Sequence, residues 1–164
     1  MRLRNLIDKI LEVFLVVIMA VLVIDVLWQV ASRFILNDPS SFTDELAGFL
    51  LIWVGLFGAA YASGKKQHLA IDLLPQKLSP PKRRYLDAFI NLMIVVFAVI
   101  VMVIGGTRLV YITLDLNQVS SALELHLGYV YLVLPISGLL ITYYAIDDIV
   151  VGLKKTSSSI KTKE

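Results

Sequence analysis

Residues 46–64 of the chain read LAGFLLIWVGLFGAAYASG, and none of their side chains carries a charge. An α-helix needs about 20 apolar residues to cross the roughly 30 Å hydrocarbon core of a bilayer. Three other stretches of similar length have the same character, apart from Asp25 in the first of them, and they centre on residues 13–32, 88–107 and 127–146. The chain as a whole is 58% hydrophobic and 17% charged, against roughly 45–50% and 25% in soluble domains. The sequence therefore predicts an all-α integral membrane protein with four transmembrane helices, at about residues 10–33, 44–64, 86–109 and 125–147.

The four predicted helices form a single membrane domain over residues 1–155, followed by a polar tail at 156–164 whose composition predicts disorder. Basic residues before the first apolar stretch imitate a signal peptide, but Asp25, Trp28 and Gln29 stand where small residues would mark a cleavage site. We therefore expect the first helix to be retained. The chain has no cysteine, so disulfides and thiolate chemistry are excluded. Its net charge of +2 gives no indication of nucleic-acid binding.

The distribution of basic residues predicts the orientation, because Lys and Arg concentrate in cytoplasmic loops. With the N-terminus inside, 13 of the 15 Lys and Arg residues fall on the inner side, and only Arg33 and Arg108 fall outside. Both termini are therefore predicted to be cytoplasmic (N-in/C-in). Between the second and third helices, residues 68–74 (HLAIDLL) mix apolar and polar side chains between basic residues and prolines. This pattern predicts a short amphipathic segment on the inner membrane surface, with its basic neighbours facing lipid phosphates.

The first helix carries polar residues at successive i, i+4 positions, namely Asp25, Gln29 and Arg33. An ionisable residue inside a membrane helix marks function by default, so one hypothesis is a proton or substrate relay. The other is a polar contact between helices, with Arg33 reaching Asp44 or Glu45 across the outer loop. We favour the second, because nothing polar continues the pattern below Asp25 towards the membrane centre.

The second helix is rich in small residues, and Gly55-x-x-x-Ala59 and Gly58-x-x-x-Ala62 have the spacing that permits close helix contact. These pairs could pack inside the bundle or against the helices of a partner, and spacing alone does not separate the two. Trp53, near the middle of the same helix, is expected to pack against protein or lipid.

The fourth helix has two local signals. Pro135 predicts a kink within it. Before it, Ser121-Ala122-Leu123-Glu124 has the spacing of a capping box, which is typical of a helix start.

Candidate chemistry is sparse. His68 and Asp72 stand at the i, i+4 spacing of a metal-binding pair, but no third ligand is near them in the sequence. The chain has no phosphate loop, no nucleophile elbow and no histidines inside the apolar centres that could hold a haem. We therefore expect no metal, no cofactor and no enzymatic activity, and we do not expect four helices with so few polar residues to conduct a large solute alone.

Several residues and short motifs occur together along the chain: Arg33-Phe34, Asp44-Glu45, Trp53, Gly58-Ala59, Lys65-Lys66-Gln67-His68, Asp72, Tyr131 and Pro135-Ile136. Together they resemble the small membrane subunit of the tripartite ATP-independent periplasmic (TRAP) transporters, in its Q-type (DctQ-like) form. The resemblance covers nearly the whole chain.

The resemblance implies a bacterial inner-membrane scaffold beside a large subunit that moves organic acids, such as C4-dicarboxylates or sialic acids, inward with sodium ions. It implies that a periplasmic binding protein delivers the substrate through transient contact, and that neither substrate nor sodium binds to this chain. By position, Arg33, Asp44 and Glu45 would brace the outer end, and His68 and Asp72 the inner segment.

Two other hypotheses are kept. The first is a self-sufficient homodimeric antiporter that couples to protons through Asp25. The second is a membrane enzyme or electron-transfer subunit, for which the sequence supplies no embedded His, Cys or acidic pair to anchor a cofactor.

Overall fold

The computed structural model describes the backbone of residues 2–38, 40–65 and 80–161, and the side chains of 4–38, 40–65, 86 and 88–150. Within these ranges the regular structure is helical: α1 Arg2–Phe34, α2 Ser41–Gly64, α3 Pro80–Phe97, a π-helical segment Ala98–Gly105, α4 Gly106–Asp115, α5 Leu127–Tyr131 and α6 Val133–Lys161. The predicted amphipathic segment at 68–74, with His68 and Asp72, lies outside the described residues.

Four stretches are long and apolar enough to cross a membrane, namely Arg4–Phe34, Ser41–Gly64, Ala88–Asp115 and Leu127–Val150. The predicted all-helical class and the four membrane-length helices are thereby confirmed, and we call these stretches the first to fourth spans. Two helix ends lie beyond the predicted ones. The third span ends at Asp115 instead of about residue 109, and α6 ends at Lys161 instead of about residue 147. Residues 156–161, predicted to be disordered, are therefore helical in the structure. No proline interrupts the chain after Pro135, and adding a residue to an existing helix costs little.

The fourth span is the centre of the bundle. Its helix α6 packs against α2 on one side and against α3 and the π-helical segment on the other, while α1 packs mainly on α2. Within the most apolar stretch of each span, 33% of the residues are buried in the fourth span but only 11% in the first and third. The buried core joins Leu11 of α1, Phe57 of α2, and Val133 and Tyr144 of α6. The first and third spans therefore flank a central pair formed by α2 and α6.

The third and fourth spans are both irregular where they meet. The third contains the π-helical segment, and the fourth is interrupted at Leu132 between α5 and α6. This interruption lies one turn before Pro135, the residue at which a kink was predicted. Proline has no N–H to donate to the carbonyl four residues earlier, and its ring crowds that turn. Glycine allows the close contact: a Cβ atom at Gly138 would lie 2.7 Å from Met102 Cβ, and one at Gly106 would lie 2.9 Å from Leu134 Cβ.

Candidate functional site

The side chains that bond between elements gather mainly at the two ends of the bundle. We call residues 35–45 and 115–127 the loop end, and residues 4–8, 61–65 and 143–150 the terminal end. Between the ends, hydroxyl groups bond within their own helices: Thr107 Oγ1 donates to Val103 O at 2.6 Å, and Thr142 Oγ1 donates to Gly138 O at 2.8 Å. Such bonds satisfy a hydroxyl in lipid without lining a path for a solute.

At the loop end, one carboxylate holds the loop between α4 and α5. Glu45, in the second turn of α2, accepts a hydrogen bond from the hydroxyl of Ser120. It also accepts from three consecutive backbone N–H groups, those of Ser121 at 3.2 Å, Ala122 at 3.0 Å and Leu123 at 3.3 Å. Successive N–H groups that point to one centre make an anion-binding concavity, and the carboxylate of Glu45 fills it.

The neighbouring acid is bound differently from the prediction. Asp44 accepts a hydrogen bond from Gln29 Nε2 at 2.6 Å, so Gln29 rather than Arg33 joins α1 to the start of α2. No hydrogen bond or ion pair within the described ranges links Arg33 to Asp44 or Glu45, which corrects the expected contact. Arg33 lies in the last turn of α1, where the helix dipole favours a positive charge, and its side chain is exposed.

Asp25 is buried without a partner for one of its oxygens. Its residue is only 6% exposed, and Oδ2 has no hydrogen-bond donor among the described residues. Asp25 shares the packed face of α1 with Leu11, Ile18 and Ser32. Gln29 bonds to Asp44 of α2, whereas Asp25 bonds neither to Gln29 nor to α2 among the described residues. The polar residues of α1 therefore do not form one continuous hydrogen-bonded row.

The indole ring of Trp53 links α2 to the fourth span. Its Nε1 donates to Val130 O at 3.0 Å, and its ring lies 6.2 Å from Phe14 and 5.8 Å from Phe57, centroid to centroid. Sequence reasoning expected the packing but not the hydrogen bond. A buried indole N–H usually finds an acceptor, so Trp53 itself indicated that a hydrogen bond would form, but nothing in the sequence indicated Val130 as its acceptor.

At the terminal end, the guanidinium of Arg4 gathers three acceptors from two other helices. It donates to Asp147 Oδ2 at 2.5 Å, to Asp148 Oδ1 at 3.1 Å, and to the backbone carbonyl of Gly64 at 2.5 Å. The last bond satisfies one of the carbonyls that the end of α2 leaves without an intrahelical partner. Arg4 therefore ties the start of α1 to the end of α2 and to α6.

The same end is closed by Tyr144 and Asp8. Tyr144 is fully buried and donates from its hydroxyl to Asp8 Oδ1 at 2.6 Å, while Lys65 Nζ lies 3.6 Å from Asp8 Oδ2. A Cβ atom at Gly64 would lie 2.8 Å from the Tyr144 ring, so glycine allows this approach. The sequence did not predict this cluster, because Arg4 was considered only as one of the basic residues that indicate the orientation of the helices.

Three glycines and one alanine of α2 lie beside open space rather than against the other helices. A Cβ atom at Gly48, Gly55 or Gly58 would meet no atom within 4 Å, and Ala59 is exposed. Gly55 and Gly58 therefore do not serve the close packing inside this bundle that one interpretation of the sequence offered. Next to this face lies an open apolar cavity of about 460 Å³, lined by Ala59 and Ser63, by residues of α3, and by Ile141 of α6.

Among the residues that the structure describes, no three His, Cys, Asp or Glu side chains are grouped so that they could hold a metal ion. The polar groups bond mainly to one another at the two ends, and apolar side chains fill the interior and cover the flanks. This architecture defines a small multi-pass helical membrane protein whose polar groups hold its own helices together.

Comparison with known proteins gives the family. Residues 22–155 match the family model described as the DctQ component of the tripartite ATP-independent periplasmic transporters. The chain therefore belongs to the DctQ family, the small permease component of TRAP transporters.

Three relatives agree with this assignment. The chain is 33% identical to the sialic acid TRAP transporter small permease protein SiaQ of Vibrio cholerae, over 63% of this chain and 60% of that protein. It is 29% identical to a Haemophilus influenzae protein assigned as a TRAP transporter small permease protein, over 85% of each chain. It is 34% identical to the C4-dicarboxylate TRAP transporter small permease protein DctQ of Rhodobacter capsulatus, over 60% of this chain and 43% of that protein.

Family membership confirms the resemblance predicted from the sequence and makes the chain a non-enzymatic transport protein. A tripartite transporter also implies two partners, a large permease and a periplasmic binding protein. The hypothesis of a membrane enzyme or electron-transfer subunit is therefore wrong.

Proposed function

We propose that this chain is a scaffold that holds the large permease subunit of a sodium-driven TRAP transporter for organic acids. The observation that carries the proposal is the apolar and aromatic packing at the centre of the bundle. There, Phe14, Trp53 and Phe57 are in ring contact, and Val133 is fully buried. A solute path needs polar groups or water at this depth, so the transported acid and the sodium ions bind to the large subunit instead.

The proposed setting is a bacterial inner membrane with both termini in the cytoplasm. Two observations support it. Of the 15 Lys and Arg residues, 13 lie on one side of the four spans, which is the cytoplasmic side by the positive-inside rule. Arg4 also contacts Asp147 and Asp148, so the beginning of the first span and the end of the fourth share one end. The loop end then faces the periplasm, where the binding protein makes transient contact.

The outward face of α2 is the proposed contact with the large subunit. Gly48, Gly55, Gly58 and Ala59 leave open space beside the helix, and small residues let helix backbones approach closely in lipid. In the bilayer, association between helices relies on such close packing, because lipid tails are as apolar as the side chains. This chain does not identify the transported acid, since relatives of the chain are named for both sialic acid and C4-dicarboxylates.

A pair of identical substitutions tests the contact. Ala59→Leu fills the open face of α2, whereas Ala20→Leu makes the same change at an exposed position of α1. We expect Ala59→Leu to reduce co-purification of the large permease and solute uptake, and Ala20→Leu to leave both unchanged. Equal recovery of the large permease with both variants would contradict the proposed contact.

The alternative of a self-sufficient antiporter rests on the unpartnered oxygen of Asp25. Membership in a three-component family speaks against it, because such a system divides transport between components. Proteoliposomes that contain only this chain should show no pH-driven flux. A flux that Asp25→Asn abolishes would favour the antiporter instead.

A further inference from the structure

Residues 106–131 form a hairpin of α4, the connecting loop and α5, and irregular backbone bounds it on both sides. The π-helical segment ends at Gly105, immediately before the hairpin, and the regular helical hydrogen bonding is interrupted at Leu132 immediately after it, although Leu132 keeps helical φ and ψ of −56° and −24°. The two boundaries touch, since a Cβ atom at Gly106 would lie 2.9 Å from Leu134 Cβ and 3.1 Å from Pro135 Cδ. The two points at which the chain enters and leaves the hairpin therefore lie in one small region.

Both boundaries are suited to bending. Irregular turns inside a helix often mark functional hinges, and Pro135 cannot donate to the preceding turn of its own helix. Hinges are a few residues at the ends of elements that absorb changes in φ and ψ. Here two such points lie side by side, so bending at both would rotate the hairpin about one axis.

The hairpin is held together internally. Within its loop, Ser120 N donates to Leu125 O at 2.9 Å, and Leu127 N donates to Gln118 O at 3.0 Å. A Cβ atom at Gly128 would lie 2.5 Å from Leu114 Cγ, so α4 and α5 are in close contact. These bonds lie inside the hairpin and would survive a rotation of the whole unit.

The hairpin is tied to α2 by few hydrogen bonds. Among the described residues, the α2 side chains that bond to it are Glu45, which holds residues 120–123, and Trp53, which holds Val130 O. Next to the Glu45 contact, Glu124 has a φ of 52°, a left-handed conformation that costs energy for a residue other than glycine. A strained loop held by one carboxylate is a suitable latch.

We propose that the 106–131 hairpin is a movable unit, hinged at the π-helical segment and at Leu132–Pro135, and latched to α2 by Glu45. When the Glu45 carboxylate leaves the N–H groups of residues 121–123, the loop swings away from the start of α2. The remainder of the bundle stays fixed by the Arg4 and Asp8 cluster. This device goes beyond the scaffold role and does not depend on it.

The absence of cysteine from the chain allows a clean distance measurement between two introduced spin labels. Phe42→Cys and Leu125→Cys place labels on two exposed positions, one in the first turn of α2 and one in the loop. A control pair, Lys9→Cys and Ile146→Cys, reports on the terminal end. Distance distributions are measured on the full chain in lipid nanodiscs.

We expect one narrow distribution for the 42–125 pair with Glu45 present, and a second population at longer distance in the Glu45→Ala background. The 9–146 pair stays unchanged in both backgrounds. Asp44→Asn is the matched control, because Asp44 bonds to Gln29 and not to the hairpin, and it leaves both pairs unchanged.

The hinge is tested by adding Pro135→Ala to Glu45→Ala, since alanine restores the N–H donor and a regular turn. The population at longer distance should then be lost. An unchanged 42–125 distribution in Glu45→Ala would overturn the proposal. So would broadening of both label pairs, which would mean general loosening, or persistence of the longer distance after Pro135→Ala.

Discussion

The loop end and the terminal end of the bundle are both polar, but they join the helices in different ways. At the terminal end, charged side chains pair directly, with Arg4 on Asp147 and Asp148, and with Lys65 near Asp8. At the loop end, the carboxylate of Glu45 binds a hydroxyl and backbone N–H groups of a loop. The first arrangement connects three helices through several charged side chains. At the loop end, among the described residues, Glu45 is the α2 side chain that holds the loop between α4 and α5, and the Gln29–Asp44 bond joins α1 to α2. The comparison indicates that the terminal end is the rigid base of the bundle and the loop end is its adjustable part.

The largest effect is expected from Arg4→Ala, which would break the base. The substitution leaves Asp147, Asp148 and the Gly64 carbonyl without their shared donor. Removing one partner of a buried ion pair costs about 3–5 kcal/mol, and we expect about 2–3 kcal/mol here because the side chains of Arg4 and Asp147 are 21% and 35% exposed. Unfolding by denaturant in lipid nanodiscs measures the loss, with Lys9→Ala as the control, since Lys9 is exposed on the same helix. Equal stability of the two variants would remove the distinction between the ends.

Glu45→Gln should have an intermediate and local effect. Glutamine keeps an acceptor oxygen but loses the charge, and hydrogen bonds to a charged group are stronger than neutral ones. We expect a local loss of stability, with faster amide hydrogen exchange at residues 121–123 and unchanged exchange at the terminal end. Asp44→Asn changes the adjacent acid in the same way and should not alter exchange at 121–123. If both variants accelerate exchange there equally, Glu45 has no special role.

The smallest of the three effects is expected from Trp53→Phe, which sharpens the comparison between the ends and the middle. Phenylalanine keeps most of the ring contacts with Phe14 and Phe57 but cannot donate to Val130 O. One neutral hydrogen bond contributes about 1 kcal/mol. The matched control is Trp28→Phe, because Trp28 is 58% exposed and such changes usually stay within about 0.5 kcal/mol. A stability measurement that ranks Trp28→Phe as the more damaging change would contradict the role of the indole N–H.

The spans could be predicted from the sequence because their signal is local. A helix in lipid must satisfy its own backbone, so a long uncharged stretch has few alternatives. The kink predicted at Pro135 rests on an equally local signal, since proline has no N–H to donate to the preceding turn. Neither prediction required knowledge of what lies next to the helix.

The contacts at the loop end could not be predicted in this way. The spacing of Gln29 and Arg33 on α1 shows which face they share, but not which of them reaches Asp44. Glu45 binds mainly backbone N–H groups, and backbone groups leave no signature in the sequence. The capping-box pattern at Ser121–Glu124 predicted a helix start, but α5 begins only at Leu127. The N–H groups of that turn bond to Glu45 instead, which the sequence does not indicate.

The glycines in the membrane interior also show that contacts between helices could not be predicted from the sequence. The spacing of Gly55 and Gly58 indicated close helix contact, yet the close contacts between helices involve other glycines, namely Gly64, Gly106, Gly128 and Gly138. Spacing identifies a surface that permits contact, while the partner depends on how the helices are arranged. The π-helical segment at residues 98–105 reads AVIVMVIG. Its one glycine stands at its last position, and the seven residues before it carry no signal for a π-helix.

The scaffold role is tested most directly by solute uptake in proteoliposomes of defined composition. The large permease is reconstituted with the periplasmic binding protein and an inward sodium gradient, with or without this chain, and uptake of a labelled organic acid is measured. The scaffold role predicts uptake only when this chain is present, and none when the chain is reconstituted alone. Equal uptake by the large permease without this chain, or flux through this chain by itself, would contradict it.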